Sequence, residues 1–175
     1  MGATGKVLPV KLIVGLIFKE EPAASAAESI LQRHFAGIDF LSDTLDFTHT
    51  GYYEKEFGAN LRRRFLSFKK LIAPQQICRI KLVTNKIEQR LSREGSRLVN
   101  IDPGYLDLNK LVLATTKDYS HRIYAGRGIF VEVTLFYQGK AFKPWPWTYP
   151  DYATGAYIEI FNQIRQLYAK QIKKI

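Results

Sequence analysis

The segment Lys11–Phe18 (KLIVGLIF) constrains the fold of this chain more than any other, because β-branched and apolar residues occupy nearly all of its consecutive positions. A strand with one solvent-facing side alternates polar and apolar residues, whereas a strand covered on both faces does not. The segment therefore predicts a central strand with structure packed on both sides. It is far shorter than the roughly 18–20 apolar residues of a membrane-spanning helix, so no membrane span is expected.

The residues that follow predict an alternation of helices and strands. Glu20, Glu21 and Pro22 are typical of a helix N-terminus, and Gly37 suits the end of that helix. A second helix begins at Pro74, has its apolar residues on one stripe, and ends at Gly95. The predicted strands of this half cover residues 39–53, ending in the polar turn Thr48–Gly51, then Arg62–Ile72 and Arg97–Ile101.

The second half predicts a β-meander and a closing helix. Asp102-Pro103-Gly104 has Pro and Gly at the positions that a β-turn favours. Ala125–Gly128 separates two strand-like runs, as in a hairpin, and a helix is expected from about Thr154 to Lys173. We expect one α+β domain over residues 1–175, with residues 1–8 a flexible start. Its mainly antiparallel sheet would begin with the ferredoxin-like order β-α-β-β-α-β.

Composition excludes several classes of protein. The single cysteine, Cys78, excludes a disulfide framework and any multi-cysteine zinc site, and the three histidines share no ligand spacing, so no metal site is predicted. The N-terminus lacks the pattern of a signal peptide, and a cytoplasmic location is expected. The sequence indicates no particular cofactor and no oligomeric state.

The positive charge is concentrated in one quarter of the chain. The formal net charge is +10, and residues 55–97 contain 12 basic but only 3 acidic residues. Such an asymmetry favours a surface for polyanions such as nucleic acid. The alternative is a basic helix face that only keeps the protein in solution. The candidate polyanion-binding residues are Arg62, Arg63, Arg64, Lys69 and Lys70.

Two segments resemble nucleotide-binding motifs but lack their context. Gly2–Lys6 has two residues between its glycines, where a phosphate loop has four, and it precedes the first strand. Asn85–Glu88 is similar to the guanine-reading element of GTPases, yet it lies within a predicted helix. We therefore expect no GTP binding of the phosphate-loop kind.

Carboxylates and arginines lie beside rigid or aromatic residues at three places in the second half. Asp102 lies at the predicted turn, Glu132 lies on an apolar strand, and Asp151 follows the Trp- and Pro-rich segment 145–150. These patterns predict a pocket for a small anionic ligand such as a nucleotide. Each has a structural alternative: Asp102 capping its turn, Glu132 in an ion pair, Asp151 capping the last helix. The candidate ligand-binding residues are Arg97, Asn100, Asp102, Arg122, Glu132, Trp147, Tyr149 and Asp151.

Several stretches resemble the uncharacterised bacterial family DUF4416, a domain of unknown function. The most specific are Gly128–Tyr137 (GIFVEVTLFY) and Pro146–Tyr152 (PWTYPDY), and further matching stretches cover nearly the whole chain. The resemblance implies a small, single-domain cytoplasmic bacterial protein and supplies no activity. Three hypotheses remain: an enzyme or sensor for a small anionic ligand, a nucleic-acid-binding module, or a protein-interaction scaffold without catalysis.

Overall fold

The computed structural model describes residues 2–48 and 54–174. The chain runs β1 (Lys11–Phe18), α1 (Glu21–Phe35), β2 (Ile38–Leu41), β3 (Leu45–Phe47), α2 (Glu54–Phe57), β4 (Leu61–Phe68), α3 (Ile77–Arg90), β5 (Ser92–Arg93), β6 (Ser96–Arg97), β7 (Val99–Leu106), β8 (Lys110–Thr115), β9 (Ile123–Gly126), β10 (Ile129–Gln138), β11 (Ala141–Pro144) and α4 (Gly155–Ile172). A single 3-10 turn, Pro74–Gln76, leads into α3. Residues 2–9 form neither helix nor strand.

The main sheet has the order β11-β10-β8-β7-β1-β4-β2, with β3 paired to β4 and β9 paired to β10. Every described strand pair in it is antiparallel. The run β7-β1-β4-β2, with its helices α1 and α3, has the ferredoxin-like arrangement. The prediction of an α+β fold with a ferredoxin-like start, a β-meander and a C-terminal helix is therefore confirmed. None of the described helices is long and apolar enough to cross a membrane.

Strand β1 is buried along its whole length, as its unbroken apolar pattern predicts. Because side chains alternate between the two faces of a strand, Leu12, Val14 and Leu16 pack with α1 and α3 on one face. Ile13 packs with the α4 residues on the other face. Helices thus cover the sheet on both sides, and the end of β1 near Ile17 has only a smaller apolar cluster.

The turn predicted at Asp102-Pro103-Gly104 is wrong, because these residues lie inside β7 and pair with β1. Proline lacks a backbone N–H, so it is tolerated in a strand only where no partner needs that donor. Strand β8 pairs with β7 only from Gly104 onward. At Pro103 the edge of β7 that faces away from β1 is therefore open, and the missing N–H costs no ladder bond.

The strand predicted over residues 39–53 is two short strands, β2 and β3, and the helix predicted to end at Gly95 ends at Arg90. Ser42 separates β2 from β3, since its Oγ accepts from the Phe65 N–H at 2.9 Å in place of a backbone carbonyl. After Arg90 the chain forms the β5–β6 hairpin, whose turn has both Glu94 and Gly95 at positive φ. Residues 49–51 of the predicted polar turn lie outside the described residues.

Candidate functional site

A cleft opens where β7 and β8 separate. Their pairing covers Gly104–Leu106 only, while β8 continues beside β10 to Thr115. In the gap, two side chains of α3 bond to the backbone of Ile101 in β7. Lys81 Nζ donates to the Ile101 carbonyl at 3.2 Å, and Glu88 Oε1 accepts from the Ile101 N–H at 2.5 Å. These contacts satisfy the unpaired edge of β7 and place two charged side chains in the cleft.

The cleft has a volume of about 820 Å³. It is bounded by residues of β3, β4, β6, β7, β8 and β10, by α3 between Lys81 and Gln89, and by the segment Tyr149–Tyr152. Five cations and four carboxylates line it: Arg63, Lys81, Arg97, Lys117 and Arg122, with Glu88, Asp102, Glu132 and Asp151. Such a concentration of charge in a concavity is typical of a ligand site.

Asp102 is the most exposed of the four carboxylates, with 27% of its side chain accessible. Its Oδ2 accepts from Asn100 Nδ2 at 2.6 Å, and its Oδ1 lies 3.4 Å from Lys81 Nζ. On its other side, Arg63 Nη1 lies 3.9 Å from Oδ2. Asp102 therefore lies between two cations and presents an acceptor to the cleft.

Arg97 connects the cleft to α2 and α3. It forms two hydrogen bonds of 2.7 Å with the carboxylate of Glu56, and its Nη1 donates to Asn100 Oδ1 at 2.8 Å and to Glu88 Oε2 at 3.2 Å. These hydrogen bonds lower the pKa of Glu56 and raise that of Arg97. Burial raises the pKa of Glu88, although Lys81 and the Ile101 N–H oppose this shift. All three nitrogens of Arg97 are committed to protein acceptors.

Glu132 is held by three groups at the β10 side of the cleft. Arg122 Nε donates to its Oε2 at 2.8 Å, His121 Nε2 lies 3.1 Å from the same oxygen, and Thr134 Oγ1 donates to Oε1 at 3.3 Å. The same Arg122 donates to the Tyr149 hydroxyl at 2.6 Å. Burial raises the pKa of Tyr149, so the phenol stays protonated. Glu132 therefore forms the ion pair that the structural alternative expects, and its carboxylate also lines the cleft.

Arg63 is buried in the cleft together with Phe47 and Tyr152. We call the part of the cleft lined by these three residues the floor. Arg63 Nη2 donates to Asp151 Oδ2 at 2.9 Å, and its guanidinium carbon lies 5.0–5.9 Å from four aromatic rings: Phe47, Phe65, Tyr152 and Tyr157. Burial alone would lower the pKa of Arg63, but the surrounding tyrosine and carboxylate oxygens raise it further than burial lowers it. The guanidinium is thus a permanent buried cation.

Seven of the eight candidate ligand-binding residues line this cleft: Arg97, Asn100, Asp102, Arg122, Glu132, Tyr149 and Asp151. Trp147 does not line it. The Trp147 ring stacks between Trp145 at 5.1 Å and His121 at 5.9 Å, and its Nε1 donates to the Val133 carbonyl. It holds the 145–149 segment against β10. That the seven bind a ligand stays a prediction.

The capping alternatives for two of these acids do not hold. Asp102 caps no turn, because it lies inside β7. The N-cap of α4 is Thr154, whose hydroxyl accepts from the Tyr157 N–H, while the Asp151 side chain pairs with Arg63. Both carboxylates are therefore available to line the cleft.

Sequence reasoning missed Lys81 and Glu88 and assigned Arg63 to another role. A signal existed for the first two, since they are seven residues apart and fall among the buried positions of α3, including Ile77, Ile80, Thr84 and Ile87. Charged side chains on a buried helix stripe need partners, and here the partners are β7 backbone groups. No local pattern separates Arg63 from its two neighbouring arginines.

The five candidate polyanion-binding residues do not share one surface. Arg63 is buried on one face of β4, whereas Arg64 lies on the other face and pairs with Glu21 at 2.6 Å and Glu28 at 2.7 Å. Arg62 pairs more loosely with Glu21 at 3.5 Å. Only Lys69 and Lys70 are exposed at the end of the strand. Polyanion binding by this set stays a prediction.

The single cysteine lies apart from the cleft. Cys78 is buried, and its thiol contacts the Ala125 carbonyl at 3.3 Å. Within residues 2–48 and 54–174, no group of three or more His, Cys, Asp or Glu side chains has the arrangement of a metal site. Asn85–Glu88 lies within α3, so this segment is not the strand-end element of a GTPase.

Comparison with known protein families places the chain in an uncharacterised one. The family described as Domain of unknown function (DUF4416) matches residues 8–168. No curated protein and no solved structure matches the chain.

Proposed function

The chain belongs to the DUF4416 family, whose description states no activity, and we propose from the geometry of the cleft that it binds a small anionic ligand such as a nucleotide. The observation that carries this proposal is the 820 Å³ cleft through the sheet, lined by charged side chains that hold one another in place. Pre-positioned polar groups in a concave site lower the cost of ordering that binding otherwise incurs.

Charge supports an anionic ligand. The three most buried carboxylates each pair with an arginine: Glu88 with Arg97, Glu132 with Arg122, and Asp151 with Arg63. Over the whole lining, five cations face four carboxylates. This excess of one positive charge among the lining side chains favours a ligand with a negative group.

The positions of the lining residues favour one orientation of the ligand in the cleft. Thr116 and Lys117 are exposed at the end of β8, at the mouth of the cleft, and suit a phosphate or carboxylate group. Asp102, deeper in the cleft, can accept a hydrogen bond from a hydroxyl group of the ligand. Phe47, Tyr149 and Tyr152 supply ring surface along the walls, on which a planar group can stack. The volume falls within the roughly 300–1,000 Å³ of small-molecule sites.

Isothermal titration calorimetry with inosine monophosphate and inosine tests this function, because the two differ only in the phosphate. We expect the monophosphate to bind more tightly than the nucleoside and to lose affinity as salt is added. Lys117→Ala should weaken binding of the monophosphate, whereas Lys143→Ala should not, since Lys143 is exposed but lies outside the cleft.

Two results would count against the proposal. Equal affinity of the monophosphate and the nucleoside would show that the cleft does not recognise an anion. Binding of RNA in a gel-shift series, with no heat from either small ligand, would instead favour the nucleic-acid-binding alternative.

A further inference from the structure

At the floor of the cleft, and behind it at Tyr157, whose ring lies 5.7 Å from that of Tyr152, four buried polar atoms have no hydrogen bond of ordinary geometry among the described residues. They are Nε and Nη1 of Arg63 and the hydroxyls of Tyr152 and Tyr157. The Arg63 guanidinium carbon lies 5.5 Å from the centre of the Tyr152 ring and 5.9 Å from that of Tyr157, so the four atoms belong to one cluster. Burial raises the pKa of both tyrosines, and each hydroxyl therefore keeps its proton.

Folding alone does not account for this cluster. A buried donor without an acceptor destabilises the folded state, and most buried polar groups in proteins are paired. The sequence also keeps Gly15 in the middle of the central strand, where a Cβ would lie only 2.9 Å from Arg63 Nη1. The space for this guanidinium, whose Nε and Nη1 make no hydrogen bond, is thus built into the sheet, and we take the missing acceptor to come from a ligand.

The charge around Arg63 decides what kind of acceptor fits. Asp151 at 2.9 Å and Asp102 at 3.9 Å already balance the guanidinium charge. A further anion would be repelled by these two carboxylates, whereas an uncharged oxygen would satisfy the donors without adding charge. The Tyr149 ring, which lines the cleft, supplies surface on which a flat group can stack.

We propose that the floor receives a carbonyl oxygen carried on a planar ring of the ligand, with Arg63 and Tyr157 as its donors. This inference rests on the proposed function and narrows the ligand to nucleotides whose base bears a carbonyl group. The phosphate stays at the mouth, near Thr116 and Lys117. The ligand reaches the donors by displacing the Tyr152 side chain, which lies in the irregular segment before α4.

Calorimetry with inosine monophosphate and adenosine monophosphate tests the inference, because their bases differ only at C6, which carries a carbonyl in the first and an amino group in the second, and in the hydrogen that the first carries on N1. We expect the inosine nucleotide to bind at least about tenfold more tightly, since the amino group leaves the donors unpaired. Tyr157→Phe should lower its affinity about three- to tenfold, the loss of one neutral hydrogen bond. The affinity for adenosine monophosphate should not change.

The melting temperature distinguishes a ligand-binding role of Tyr157 from a purely structural one. Tyr157→Phe removes a hydroxyl that lies near Arg63 but makes no hydrogen bond of ordinary geometry, so the melting temperature should change little. Tyr168→Phe is the matched control on the same helix, because the Tyr168 hydroxyl donates to the Pro9 carbonyl at 2.8 Å, away from the cleft. This control should lower the melting temperature and leave both affinities unchanged.

The outcomes distinguish the inference from the function on which it rests. Equal affinities for the two nucleotides overturn the carbonyl site and leave anion binding intact. A Tyr157→Phe protein that binds the inosine nucleotide like the unmodified protein, or that loses affinity for both nucleotides equally, also overturns it. Absence of binding to either nucleotide overturns both proposals.

Discussion

Gly15→Ala tests whether the space at the centre of β1 is required by Arg63. The new Cβ would lie 2.9 Å from Arg63 Nη1 and 3.1 Å from Phe65 Cε1, both closer than ordinary contacts. Overpacking of a buried site costs roughly 1–3 kcal/mol. Replacing a strand glycine recovers about 0.5–1 kcal/mol of chain entropy. We therefore expect the free energy of unfolding to fall by about 1–2 kcal/mol.

Urea denaturation followed by circular dichroism measures this change, and the melting temperature should fall by about 2–8 °C for a domain of this size. Gly37→Ala is the control, because a Cβ there meets only the flexible Lys69 side chain, at 3.4 Å. In the double variant with Arg63→Lys, which lacks Nη1, part of the cost of Gly15→Ala should disappear. A Gly15→Ala protein as stable as the unmodified one would refute the reasoning.

Three further substitutions test the contacts that support the fold and the cleft. Lys11→Met should lower the free energy of unfolding by about 3 kcal/mol in urea denaturation, because it leaves the carboxylate of Asp39 without its buried cation; unchanged stability would contradict this. Thr154→Ala should cost about 1 kcal/mol by the same assay, through loss of the α4 N-cap, whereas the exposed Thr116→Ala should cost little. Because burial raises the pKa of Glu88, the folded state binds its proton more readily than the unfolded state, and this residue lowers stability as pH rises from the unfolded toward the folded pKa. Glu88→Gln should reduce this fall in the free energy of unfolding with rising pH. An unchanged slope of that free energy against pH would show that Glu88 does not cause the fall.

The elements of the fold could be predicted because their signals are local. The unbroken apolar run Lys11–Phe18 identifies a strand covered on both faces, and the 3–4 spacing of apolar residues identifies α1, α3 and α4. The hairpin at Ala125–Gly128 follows from residues within one short window. Each of these patterns depends only on neighbours along the chain, so the sequence alone is sufficient.

The candidate site could be predicted in part for the same reason. Glu132 on an apolar strand needs a cation, and Arg122 is its partner at 2.8 Å, as the sequence suggests. Asp102 and Asp151 likewise line the cleft with Glu132. Local reasoning assigned Trp147 to the same wall, but its ring stacks on His121 and Trp145. His121 belongs to another segment of the chain, so its contact with Trp147 is not visible in a local sequence pattern.

What the sequence determined by itself is therefore the order of strands and helices and the presence of charged side chains beside rigid segments. Only the tertiary structure decided that β7 runs through Pro103, that β7 and β8 separate, and that Arg63 turns into the floor while Arg64 faces α1. Strand register and strand separation depend on pairing between residues far apart in the chain, and a shift of one residue would exchange the two faces of β4. The identity of the buried arginine is thus a consequence of register, which no local pattern records.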